Sequence, residues 1–187
     1  MAKTRFKQNR FWSIIMKRVT RILFVCHGNI CRSVMAEYIF KHLALQAGLE
    51  DRFEVASAAV STEEIGNDIY PPAKLKLREH GIPYGHHAAH QITQQEYDTY
   101  DKIICFDYSN LRWLADCVSL DYDDVMDYYD TDHHVSLMMQ WAGEDRDVSD
   151  PWYTRNFEAA YRDIYRACQG IIKTYQREFE WEETINR

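Results

Sequence analysis

Residues 21–26, Arg-Ile-Leu-Phe-Val-Cys, run apolar without alternation and stop where His27-Gly28-Asn29 begins. A strand with one wet face alternates polar and apolar side chains. An unbroken run of branched and aromatic residues instead suits a strand covered on both faces, and such strands belong to parallel sheets with helices on either side. Three further segments read as strands: Phe53–Ser57, the buried run Lys102–Phe106, and Val135–Met139. Helical patterns fall between and after them. Arg32–Ala47 carries Val34, Met35, Ile39, Leu43 and Ala47 near one stripe, and Gly48 ends it. Tyr70-Pro71-Pro72 opens a helix to about Glu79, stopped by Gly81; proline in a first turn costs no hydrogen bond. A further helix runs from Asp107 to about Leu114. The last runs from about Asn156 to beyond Tyr175, with Phe157, Tyr161, Ile164, Tyr165, Cys168, Ile171 and Ile172 on its apolar face. The fold expected is α/β, a single doubly wound domain with a four-stranded parallel sheet flanked by helices. In such sheets ligands bind at the carboxyl ends of the strands, so the chemistry is expected just after residues 26, 57, 106 and 139.

The 187 residues suffice for one domain and a sizeable core. The net charge of −7 is unevenly spread. Residues 1–21 carry seven bases and no acid, and the remainder carries 15 bases against 29 acids. We read 1–18 as a basic, flexible extension and 19–187 as the domain. An acidic body argues against nucleic acid as a partner, and no apolar run approaches the ~18 residues of a spanning helix. Five cysteines at irregular spacing do not form a disulfide framework; a reducing, cytoplasmic compartment fits better.

Cys26-His27-Gly28-Asn29-Ile30-Cys31-Arg32-Ser33 lies between the first strand and the first helix. Successive backbone N–H groups there can curl round an anion, helped by Gly28 and by Asn29, which tolerates left-handed backbone. The helix N-terminus adds positive potential. Arg32 can grip two phosphate oxygens in a fork. The same field favours the Cys26 thiolate, a nucleophile aimed at phosphorus, which Ser33 could support by hydrogen bonding. Asp150-Pro151 follows the fourth strand through a loop, so Asp150 belongs at the same sheet edge. A carboxylic acid there can protonate a leaving oxygen and then, as carboxylate, activate water. Trp152 and Tyr153 are candidate walls of an aromatic slot.

Val25-Cys-His-Gly-Asn-Ile-Cys-Arg-Ser33 resembles the phosphate loop of low-molecular-weight protein tyrosine phosphatases. Met35-Ala36-Glu37, Ser57-Ala-Ala-Val-Ser61, Gly81-Ile82 with His87, Phe106-Asp107 with Asn110, and Asp150-Pro151-Trp152-Tyr153 continue the resemblance over about residues 19–175. It implies Cys26 as nucleophile, Arg32 as clamp and Asp150 as general acid. It implies His27, Gly28, Asn29, Ile30, Cys31 and Ser33 as the phosphate-binding loop, and Ser57 as support for Asn29. It also implies a second role for Cys31, as partner of Cys26 in a reversible disulfide. The chain departs from the family at Val34, where proline is frequent, and at Trp152, which replaces a tyrosine. His90 stands in place of an arginine, and Arg155 where bacterial relatives often carry glycine. Glu63 falls at a rim position that is aromatic in animal members, and an acidic rim there disfavours acidic phosphopeptides. The Asp-Pro-Trp-Tyr-Thr run looks bacterial.

The function expected is hydrolysis of phosphotyrosine in protein substrates through a phosphocysteine, releasing inorganic phosphate, with no metal or organic cofactor. Three alternatives stand beside it: a protein-arginine phosphatase, against which Ile30 counts because that branch has threonine there; an arsenate reductase, which needs a cysteine relay that Cys105 and Cys117 do not space well; and a phosphate-binding module without catalysis. His87, His133 and His134 could suggest a metal, but the acidic run Asp121–Asp130 beside the latter two reads better as a solvated loop away from the catalytic edge. The acids around Tyr128 and Tyr129 make them candidate targets of a partner tyrosine kinase.

Overall fold

A computed structural model describes residues 18–120 and 134–185. Four parallel strands form one sheet in the order β2-β1-β3-β4. They are β1 (Thr20–Cys26), β2 (Phe53–Ala59), β3 (Lys102–Cys105) and β4 (Val135–Leu137). β1 pairs with β2 from Thr20↔Phe53 to Cys26↔Ala59 and with β3 from Ile22↔Lys102 to Val25↔Cys105. The chain thus leaves β1 toward β2 and later returns to its other side. Loops diverge at the carboxyl end of β1 and β3, where a parallel sheet opens a crevice.

The apolar run of β1 works as its pattern requires. Ile22 and Phe24 point into one core and Leu23 and Val25 into the other, all fully buried. The first core packs β1 against helix α1 (Arg32–Gln46), α2 (Pro71–Glu79) and the long C-terminal helix; Phe24 sits between Phe40 and Phe106, with ring centroids at 6.0 and 6.5 Å. The second packs Leu23, Val25, Ile103 and Leu137 against α4 (Tyr108–Cys117).

Several boundaries differ from the expectation. β2 continues two residues past Ser57 to Ala59, and β3 ends at Cys105 rather than Phe106. β4 stops at Leu137, and Met138–Ala142 turn into a 3₁₀ helix although the apolar run goes on. Side chains close that turn: Gln140 Oε1 accepts the Leu137 N–H at 2.9 Å, and Trp141 Nε1 donates to Ser136 Oγ at 3.0 Å. Gly143 then takes a left-handed conformation with φ 77°. An unanticipated helix, α3 (Gln94–Thr99), begins with a reciprocal cap between Thr93 and Glu96 and buries none of its residues. A short α5 (Pro151–Thr154) precedes α6 (Phe157–Ile185). At Gly170 of α6 a side chain is impossible, because a Cβ there would lie 1.8 Å from the Trp141 carbonyl oxygen. The final helix is therefore seated on the turn that leads out of β4.

The basic stretch 1–17 and the run Asp121–Asp130, with Tyr128, Tyr129 and His133, lie outside the described residues. Among the described residues no helix is long and apolar enough to cross a membrane. All five cysteines are free thiols.

Candidate active site

The loop between β1 and α1 is held from behind by Asn29. Its backbone is left-handed, with φ 57°, and its side chain is fully buried. Its amide nitrogen donates to Ser33 Oγ and to Ser57 Oγ, both at 2.9 Å. Its Oδ1 accepts the His90 N–H at 3.4 Å. Ser57 passes its own hydroxyl hydrogen to Glu37 Oε2 at 2.6 Å. Ser33 Oγ, already accepting from Asn29, lies 3.1 Å from Cys26 Sγ. A thiolate can only accept, so with Cys26 ionised the serine is the donor. A line of hydrogen bonds thus runs from Glu37 through Ser57, Asn29 and Ser33 to the cysteine sulfur. On the backbone side, His87 Nε2 donates to the Asn29 carbonyl at 2.7 Å, which fixes its tautomer.

Arg32, the first residue of α1, is 2 % exposed. Its Nη1 donates to Asp107 Oδ2 at 2.5 Å and to the Val148 carbonyl at 3.2 Å, and its Nη2 donates to Asp150 Oδ2 at 2.5 Å. Burial works against the guanidinium charge, but Cys26, Asp107 and Asp150 outweigh it and hold its pKa above the ordinary value. A guanidinium carries five N–H donors. These three bonds leave Nε–H and one Nη2–H, a pair able to fork two oxygens of an oxyanion. Asp107 caps α4 with its other oxygen, which accepts the Asn110 N–H at 2.7 Å. Asp150 caps α5, its Oδ1 accepting the Trp152 N–H at 2.9 Å.

A cavity of about 120 Å³ opens over this arrangement, lined by Cys26, His27, Gly28, Ile30, Cys31, Arg32, Glu63, Glu64, Asp150, Trp152 and Tyr153. The left-handed turn falls on Asn29 rather than on Gly28. What Gly28 accommodates is Glu64, whose Cγ would stand 3.1 Å from a Cβ there. Trp152 is 41 % exposed and its ring packs 5.1 Å from Tyr70. Tyr153 is 82 % exposed and stands at the mouth rather than in a closed wall. Arg155 ends α5 in left-handed backbone, φ 56°, with its guanidinium 5.6 Å from the Trp152 ring. Burial, with Cys26 adding to it, pushes the Cys31 thiol far up, so it stays protonated beside Cys26. Among the described residues no group of three potential ligands could hold a metal ion.

The sequence pattern of the low molecular weight phosphotyrosine protein phosphatase family matches residues 21–181. The chain belongs to this family. The low molecular weight protein-tyrosine-phosphatase YfkJ of Bacillus subtilis is 34 % identical over 159 residues, which is 84 % of this chain and 96 % of YfkJ. The mouse low molecular weight phosphotyrosine protein phosphatase is 35 % identical over 162 residues, 82 % of this chain and 95 % of its own. The crystal structure of YfkJ superposes with a TM-score of 0.76 at 33 % identity, covering 86 % of this chain and 96 % of that one. A Drosophila arginine phosphatase superposes with a TM-score of 0.69 at 29 % identity, covering 82 % and 96 %.

Within the family member's site, ten of the residues singled out from sequence line one cavity. Asn29, Ser33 and Ser57 do not; their side chains are buried behind the loop, 3 % exposed or less. Sequence reasoning passed over four participants: Asp107 on Arg32, Glu37 on Ser57, His87 on Asn29, and Glu64 in the lining. The first three were visible only as parts of motifs, without a role. His90, in the place of an arginine, pairs with Glu96 at 2.8 Å.

Proposed function

We propose that the protein hydrolyses phosphotyrosine in proteins by a two-step reaction at Cys26. The observation that supports this best is that Cys26, the remaining donors of Arg32 and the Asp150 carboxyl share one cavity with aromatic Trp152. The Cys26 thiolate attacks phosphorus and the phosphorus–oxygen ester bond breaks. Asp150 gives its proton to the departing phenolate oxygen. Arg32 and the loop N–H groups hold the three equatorial oxygens. Water then attacks the phosphocysteine and yields its proton to the Asp150 carboxylate. The sulfur leaves as thiolate, stabilised by the hydrogen bond from Ser33, and inorganic phosphate is released.

Cys105 is fully buried and its thiol is pushed well up by that burial, which suits a core residue rather than the relay of a reductase. The likeness to an arginine phosphatase keeps phosphoarginine as the competing substrate, and Ile30 in the lining favours the aryl ester.

The test is turnover of matched phosphotyrosine and phosphoarginine peptides, with chelator present, by the parent, Cys26→Ser and Asp150→Asn. Phosphotyrosine is expected to be preferred. Cys26→Ser should abolish turnover, and Asp150→Asn should lower kcat by about 10²–10⁴-fold while keeping the α5 cap. Preference for phosphoarginine would reverse the reading of Ile30, and loss of turnover to chelator would overturn the metal-free mechanism.

A further inference from the structure

A second cavity of about 380 Å³ adjoins the first. Glu63 lines both. The ridge between them is a hydrogen-bonded pair, His27 Nε2 to Glu63 Oε2 at 3.0 Å, and the His27 ring stands edge-on to Trp113 at 5.7 Å. Beyond the ridge the lining includes Trp113, Asp116, Thr62 and Gln91. Among the described residues its lining carries two carboxylates, Glu63 and Asp116, both exposed, and no lysine or arginine. Trp113 is 46 % exposed, although it is large and apolar on the outer side of α4.

We infer that this groove is a specificity site that takes an arginine or lysine side chain flanking the phosphotyrosine of the substrate. The inference rests on the proposed function, since it is that reaction's substrate which reaches across the ridge. An aromatic ring beside two carboxylates, of which Glu63 is paired with His27 and Asp116 stands apart from that pair, is complementary to a guanidinium or ammonium group, which gains from both the ring and the charge. Because Glu63 lines both cavities, the occupant is a residue close in sequence to the phosphotyrosine. An acidic flank meets the same carboxylates as repulsion.

Peptides carrying arginine, alanine or glutamate at each position from three before to three after the phosphotyrosine measure this directly, with phenyl phosphate as the substrate that has no flank. For the parent, arginine at one or two positions should raise kcat/KM about tenfold over glutamate, through KM, and the difference should shrink in high salt. Asp116→Asn and Trp113→Leu should each cut the preference to about threefold or less with phenyl phosphate turnover unchanged. A parent indifferent to the flank, or a preference that survives both substitutions, overturns the inference. If phenyl phosphate itself is not hydrolysed, the proposed function fails instead. The groove is then read by the Kd of the Cys26→Ser variant for the arginine- and glutamate-flanked peptides, and equal Kd values would overturn it.

Discussion

At the scale of single residues, the site depends on side chains that serve two neighbours at once. Asp107 pairs with buried Arg32 through one oxygen and caps α4 through the other. Asparagine at this position keeps the cap and removes the charge; alanine removes both. Asp107→Ala should therefore be less stable than Asp107→Asn by about 1 kcal/mol, while both lose kcat/KM by at least about tenfold as Arg32 is left with one fewer anion. Urea unfolding and steady-state kinetics separate the two. Asn29 combines left-handed backbone with three side-chain hydrogen bonds. Asn29→Gly keeps the backbone and Asn29→Ala keeps neither, so alanine should cost about 1–2 kcal/mol more than glycine. His87 gives a pH dependence. Burial, opposed by the bond to Asn29, lowers its pKa below the ordinary 6.5. The unfolded chain then takes up the proton first, so this contribution is complete above about pH 6.5 and is lost as pH falls to the lower folded value. The drop in urea midpoint between pH 7.5 and pH 5.5 should be smaller for His87→Gln than for the parent; an equal drop would count against this assignment.

At the scale of elements, strands covered on both faces were legible where they run apolar without a break, and Ile22–Val25 of β1 is the clearest case. Their ends were less so. Met138 and Met139 are as buried as Leu137, and only the bonds of Gln140 and Trp141 show that the backbone has already turned. Helix α3 escaped because it hides no apolar face; its sole signal is the Thr93–Glu96 cap. The same distinction governs the site. Residues 26–33 could be read because they are contiguous. Asp107, Glu37 and His87 could not be assigned roles, because each acts on a partner 75, 20 or 58 positions away. Gly170 reverses a rule of the element that holds it. Helix propensity alone predicts that Gly170→Ala gains about 1 kcal/mol. The Trp141 carbonyl makes it a clash, and the melting temperature should fall instead.

At the scale of the whole molecule, Arg32 joins pieces far apart in the chain. It starts α1, bonds Asp107 after β3, and bonds Val148 and Asp150 in the segment after β4. An anion gripped by its remaining donors ties to the same centre. Phosphate or vanadate should raise the melting temperature, corresponding to about 2.7 kcal/mol at one hundred times Kd. Arg32→Ala should abolish the shift, and a thermal-shift titration reads both.

The contact between Gly170 and Trp141 also has a history in time. The loop at residues 26–33 is synthesised ahead of Gly170, whose contact with Trp141 closes the seat for the segment carrying Asp150. On the ribosome, Cys26 therefore emerges well before the segment that carries Asp150 has been locked in place.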